Sequence, residues 1–117
     1  DKEKKQNYEI GASDFILKIL PVVDNFERSL AVENPSDEIK NFLKGYEMIY
    51  NQLMQVLQSQ GVEVIKTEGQ EFDPNFHNAV MHVEDEELGE NIVAEELQKG
   101  YMYRDAVVRH SMVKVAN

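Results

Sequence analysis

Asp73 and His77 stand four residues apart in the stretch Glu71 to Val80, EFDPNFHNAV. A carboxylate beside an imidazole is an acid–base pair, and with a nucleophile it would be the start of a hydrolytic centre. No Ser or Cys nucleophile motif accompanies it, and Asp-Pro more often makes a turn whose Asp side chain holds backbone N–H groups. The structural reading of His77 therefore stands well ahead of a catalytic or metal one. His77 and His82 are five apart in a strand-like region and His110 is distant, so no HExxH pair exists. Glu84-Asp85-Glu86-Glu87 concentrates carboxylates, but Gly89 is misplaced for a calcium loop, and a solvated tip is expected. No GxGxxG or GxxxxGK[ST] phosphate cradle occurs. With no Cys, disulfides and thiolate zinc sites are excluded. Nothing here reads as an enzyme, and no cofactor, metal or small-molecule substrate is expected. A metal-dependent enzyme built on His77, His82 and the acidic tip is a poor third reading.

The elements that must carry these residues fall into two kinds. In the first part, Ile10, Phe15, Ile16, Ile19, Leu20, Val22, Val23, Phe26 and Leu30 recur at three- and four-residue steps, which predicts a helix. Phe15, Ile19, Val22 and Phe26 form one ridge, and Ile16, Leu20, Val23 and Leu30 a second. So wide an apolar face suits a helix with more than one neighbour. Pro21 lies inside the pattern and is expected to kink the helix or start a new segment. Asn34-Pro35-Ser36-Asp37 is a turn, with Ser36 or Asp37 as the cap of a second helix over about 37–60. Its apolar positions, Ile39, Phe42, Leu43, Tyr46, Ile49, Tyr50, Leu53, Val56 and Leu57, approach a heptad, and Gly61 is a natural stop. Gly45 costs about 1 kcal/mol in mid-helix relative to Ala. It reads either as a close helix–helix approach or as a tolerated defect.

After Gly61 the period changes. Val62 to Ile65, Ala79 to Val83, Asn91 to Leu97, Tyr101 to Tyr103, Ala106 to Val108 and Met112 to Val115 are short, β-branched and partly alternating. Glu84 to Glu90 reads as a hairpin tip, Arg104-Asp105 as another turn, and Tyr101 and Tyr103 as two rings on one core face. The fold expected is α+β, with a helical region over 1–60 followed by a small, mostly antiparallel β domain over 61–117. Two helices with faces this wide cannot cover each other, so a second copy is expected to complete a dimeric four-helix bundle.

Composition narrows the partners. The 117 residues carry 12 Lys and Arg against 22 Asp and Glu, a net charge of -10. Phosphate backbones and anionic membranes both select basic surfaces, so neither nucleic acid nor membrane is expected. A protein partner is. No apolar run is long enough to span a bilayer, and the absence of Cys agrees with a cytoplasmic location. Asp1 to Asn7 is entirely polar and does not begin with Met, which reads as the interior of a longer chain.

Two motif blocks and a helix carry a resemblance. Phe72, Asp73, Pro74, His77, Ala79 and Val80 make an F-D-P-x-x-H-x-A-aliphatic block. Gly100, Tyr101, Asp105, Val108, Arg109, Ser111, Val113 and Val115 follow as G-Y, D, an aliphatic-Arg pair and S-x-V-x-V. Upstream, Ile19 to Leu30 is ILPVVDNFERSL, and Gly45 lies in the next helix. Over nearly its whole length the sequence resembles the GrpE family, the nucleotide exchange factors of the DnaK chaperone.

The resemblance implies a stress-response co-chaperone that acts in protein folding as a homodimer. A long paired helix would lead into a four-helix bundle from which two β wings project. One wing would press on the ATPase domain of a DnaK-type chaperone, open its nucleotide cleft and release ADP. Partner contacts are implied at Phe72, Pro74 and Val115, and more weakly at Val32 and Ile10. Bundle packing is implied at Phe15, Ile19, Val22, Phe26, Leu43, Gly45, Tyr46, Ile49 and Leu53. Structural roles fall to Asp73, His77, Ala79, Gly100, Tyr101, Asp105, Arg109 and Val113. A basic contact is implied near Ala106, where this sequence has no Arg; either Arg104 supplies it by a different reach or the ion pair is missing. The runner-up reading is a dimeric adaptor that binds a protein partner without nucleotide exchange.

Overall fold

A computed structural model describes residues 2–117. The chain divides into two compact units, one ending at Gly61 and one spanning Val62–Asn117. They are described separately.

The first unit is a helical hairpin of α1 (Lys2–Leu30) and α2 (Asp37–Ser59). Ser36 caps α2: its backbone is extended and its Oγ accepts from Ile39 N at 3.4 Å. This answers one of the orphan donors of the first turn, and Asp37 and Glu38 suit its positive end. Asn34 turns the chain with φ 48°, and Gly61 stops α2 with φ 94° while its N–H bonds Gln58 O. Pro21 was expected to kink the helix or to start a new segment, and the second of these does not occur. Helical geometry runs unbroken from Lys2 to Leu30, so no new segment begins at the proline. Pro21 is exposed, and its missing N–H withholds one backbone donor from the helix.

The two ridges of α1 take different roles. Ile16, Leu20 and Val23 are buried, and Leu30 is half-buried. Phe15 is 64% exposed, Val22 is exposed, and Ile19 and Phe26 are half-buried. On α2 only Leu57 is buried, whereas Phe42 is 66% exposed and Ile39, Tyr46, Ile49 and Val56 are also open. Across the hairpin, Phe26 and Tyr46 rings meet at 6.4 Å, and Tyr50 Oη donates to Glu27 Oε1 at 2.6 Å. Burial, the Glu27 hydrogen bond and the charges of Glu27 and Asp24, in that order, hold the Tyr50 phenol well above its ordinary pKa.

The second unit holds six strands in two three-stranded sheets: β1 (Val62–Val64), β2 (His77–Val83), β3 (Ile92–Gln98), β4 (Tyr101–Tyr103), β5 (Ala106–Arg109) and β6 (Ser111–Ala116). One sheet runs β1-β4-β5, antiparallel throughout. The other runs β2-β6-β3; β3 is antiparallel to β6 and β2 is parallel to it. The fold is therefore α+β, and its sheets are mostly antiparallel. Val93, Val113 and Val115 form a core cluster against which Phe72 packs. Tyr101 and Tyr103 are both buried, as expected for alternate residues on a core face.

The segment Glu84–Glu90 is not a hairpin tip. It joins β2 to β3, which do not pair, because β6 lies between them. It must cross the end of β6, and Asn117 fastens it there. Asn117 Nδ2 donates to Asp85 O and Leu88 O, both at 2.8 Å, and its Oδ1 accepts from Asp85 N at 3.0 Å.

Candidate partner-binding site

The entrance to the β unit is a tight turn built by its own polar groups. Asp73 Oδ1 accepts from Asn75 N at 2.9 Å, and Asp73 O accepts from Phe76 N and His77 N. His77 then closes the turn. Its Nδ1 accepts from Asp73 N at 3.1 Å, and its Nε2 lies 2.9 Å from Lys66 O, to which it donates. The imidazole is buried and both nitrogens are occupied by backbone groups, so the Asp73–His77 pair is not arranged to move a proton onto a substrate. Among the described residues no group of three His, Cys, Asp or Glu side chains could hold a metal ion.

This turn displays Pro74, which is exposed, and half-displays Phe72. Phe72 also packs on the Val93–Val113–Val115 cluster and meets the His77 ring at 6.0 Å, so the same side chain anchors the turn. A cavity of about 360 Å³ opens beside it, lined by Glu63, Val64, Glu71, Phe76, His77 and Met102 among others.

The other residues implied as contacts are placed as follows. Val115 is 1% exposed in the core of the β2-β6-β3 sheet, so it cannot be the surface contact expected of it. Its neighbours on β6 explain this: Val113 and Ala116 are buried too, because β6 is the central strand. Arg104 is exposed at the β4–β5 turn with φ 56°, and its guanidinium lies over the Tyr103 ring at 5.1 Å. Ala106 is exposed at the start of β5. In the helical unit, Ile10 is 68% and Val32 44% exposed. Val32 borders a groove with Leu30, Pro35, Leu43, Lys40 and Lys44. Gly45 is exposed, and a Cβ built there would meet nothing within 4 Å in this chain. A close approach between α1 and α2 is thus not its reason.

The second motif block is a packed corner. Gly100 N donates to the buried Ser111 Oγ at 3.1 Å, and a Cβ on Gly100 would fall 2.3 Å from Ser111 N. Arg109 Nε donates to Lys99 O at 3.0 Å, with the guanidinium 5.5 Å from the Tyr101 ring centroid. Asp105 is exposed in the β4–β5 turn, Ala79 is exposed on β2, and Val113 is fully buried. Asn117 and Thr67 were not singled out by sequence reasoning, and Tyr50 was read only as an apolar helix position, without its bond to Glu27. The bond from the buried Thr67 Oγ1 to Glu96 Oε2, at 2.6 Å, spans 29 residues and leaves no local pattern.

Comparison with known proteins agrees with the motif blocks. The family model described as GrpE matches residues 1–117. Protein GrpE of Lachnoclostridium phytofermentans is 62% identical over 117 residues, all of this chain and 52% of that protein. Protein GrpE of Bacillus velezensis is 54% identical over 115 residues, 98% of this chain and 59% of that protein. Protein GrpE of Bacillus subtilis is 49% identical over 115 residues, 98% of this chain and 60% of that protein. The chain thus spans about half the length of the curated relatives it matches, and on the match over all its residues it belongs to the GrpE family.

Proposed function

We propose that the chain is a co-chaperone of the DnaK system that acts by nucleotide exchange, binding the ATPase domain, holding its cleft open and releasing ADP. The observation that carries this reading is the family match over every residue, both motif blocks included. The physics required is differential binding. A protein that binds the open, nucleotide-poor state more tightly shifts the population toward it, and no bond need be made or broken. A Pro at the tip of a rigid turn supports this reading, since a preformed contact loses little entropy on binding.

The same proposal includes a homodimer. Phe15 and Val22 on α1 and Phe42, Ile49 and Val56 on α2 are exposed large apolar side chains at helical spacing. Their burial against a second hairpin as a four-helix bundle supplies what a single hairpin lacks. Residues 1–60 then serve dimerisation and 61–117 form the wing. Pro74, Phe72 and Arg104 are its proposed contacts, with Ile10 and Val32 in support, and the location is cytoplasmic. The test is the release rate of a fluorescent ADP analogue from a DnaK-type ATPase domain with and without the chain. Acceleration supports exchange; tight binding without acceleration returns the reading to a dimeric adaptor.

A further inference from the structure

Strand β2 is an edge. Among the described residues nothing pairs with it on the side away from β6. Five successive residues, Asn78 to His82, are exposed, Val80 and Met81 among them. Sheet edges of this kind present backbone donors and acceptors to any extended chain that approaches. On the inner side, Val83 O accepts from Asn117 N at 2.8 Å. Backbone groups alternate along a strand, so the neighbouring His82 offers its N–H and C=O outward.

Beside that position lies a cavity of about 540 Å³, lined by His82, Val83, Glu84, Asp85, Glu86 and Asn117. Asp85 is already engaged, since its Oδ1 accepts from Glu87 N at 2.9 Å. Glu84 and Glu86 are exposed. The whole β unit carries twelve Asp and Glu against five Lys and Arg, so its field repels a second copy and attracts a basic chain. The ladder slips between Ala79 and Met81, and such a bulge works against long, flat association between like edges while leaving a short segment free to pair.

We propose that the outer edge of β2, beyond its bulge, receives a short extended segment of a basic protein partner. The segment adds as a strand at His82 and seats a Lys or Arg beside Glu84 and Glu86. Main-chain bonds would supply affinity, and the carboxylates would select the sign of the partner. This surface is separate from Pro74 and does not depend on the exchange reading.

The probe is a fluorescein-labelled peptide of alternating Thr and Val with three Lys at one end, made with the lysines at either terminus and titrated into the full chain. Its control replaces Lys by Glu. The basic peptide is expected to bind at least tenfold tighter than the control and to slow hydrogen exchange of the His82 amide. Glu84→Gln with Glu86→Gln should weaken it at least fivefold while the urea midpoint of the β unit stays unchanged. His82→Pro, which deletes the outward donor, should abolish binding, with circular dichroism confirming the fold. Equal affinity for both peptides, or binding that leaves His82 exchange unaltered, overturns the proposal.

Discussion

Replacing Gly100 by Ala tests whether the corner between β3 and β4 is held by close backbone approach. A methyl there would sit 2.3 Å from Ser111 N, 2.6 Å from Arg109 O and 2.6 Å from the His110 carbonyl carbon. All three are backbone atoms, so no flexible side chain can swing away. Relief requires the two backbones to part by roughly 1 Å, judged against an ordinary carbon contact of about 3.5 Å. That displacement also strains the bonds from Gly100 N to Ser111 Oγ and from Ile65 N to Gly100 O, each near 3.0 Å. Two hydrogen bonds at about 1 kcal/mol each and overpacking at about 1–3 kcal/mol sum to roughly 3–5 kcal/mol. A unit of this size has a total stability of about 3–8 kcal/mol. The variant should therefore lose most of the β unit's stability while the helical hairpin keeps its circular dichroism. Urea denaturation followed by tyrosine fluorescence and by amide exchange in β4 and β6 reads both parts. A β unit with an unchanged midpoint would refute the steric argument.

Four further expectations follow from the same structure. Tyr50→Phe removes the bond to Glu27 and should cost the hairpin about 1 kcal/mol near neutral pH. Because the folded phenol titrates above its unfolded value of about 10, the wild-type hairpin should hold full stability below that pH and lose it as pH rises further; the Phe variant should lack this alkaline loss in a melting series. Gly45→Ala should stabilise an isolated hairpin by about 1 kcal/mol through helix propensity, and with a second copy packed at that face it should also lower the dimer mass, so melting and sedimentation runs should move in opposite directions. Phe42→Asp, at an exposed apolar position, should leave a folded monomer with the dimer mass lost by light scattering. Asn117→Ala removes the side-chain bonds that fasten residues 84–90 and should speed amide exchange at Asp85 by at least tenfold, with little change in β4.

Much of the fold can be read from local pattern. The 3.6-residue period located both helices, Ser36 and Gly61 marked α2's ends, and β-branched runs located all six strands. Pairing is different, because it depends on contacts far apart in sequence. Nothing near Ala79 says that β2 lies parallel to β6, and the hairpin reading of Glu84–Glu90 failed for that reason. Val115 failed similarly: alternation in MVKV shows that one face is apolar, but not that its strand is central. Pro21 starts no new segment, since one missing backbone bond on an exposed face does not end a helix whose opposite ridge is buried. At the candidate site, the Asp73-Pro74 turn was legible from residue type, whereas the bond from His77 to Lys66 was not. Phe72 carries two duties that sequence cannot separate, core packing and display, so Pro74 is the cleaner position for testing contact with a partner.

The decisive measurement of nucleotide exchange is stopped-flow release of a fluorescent ADP analogue from a DnaK-type ATPase domain, comparing the wild-type chain with Pro74→Asp at equal stoichiometry. The wild type should accelerate release strongly and the variant at least tenfold less, with the β unit's unfolding midpoint unchanged. Release that the wild-type chain does not accelerate, although it binds the domain, would contradict nucleotide exchange.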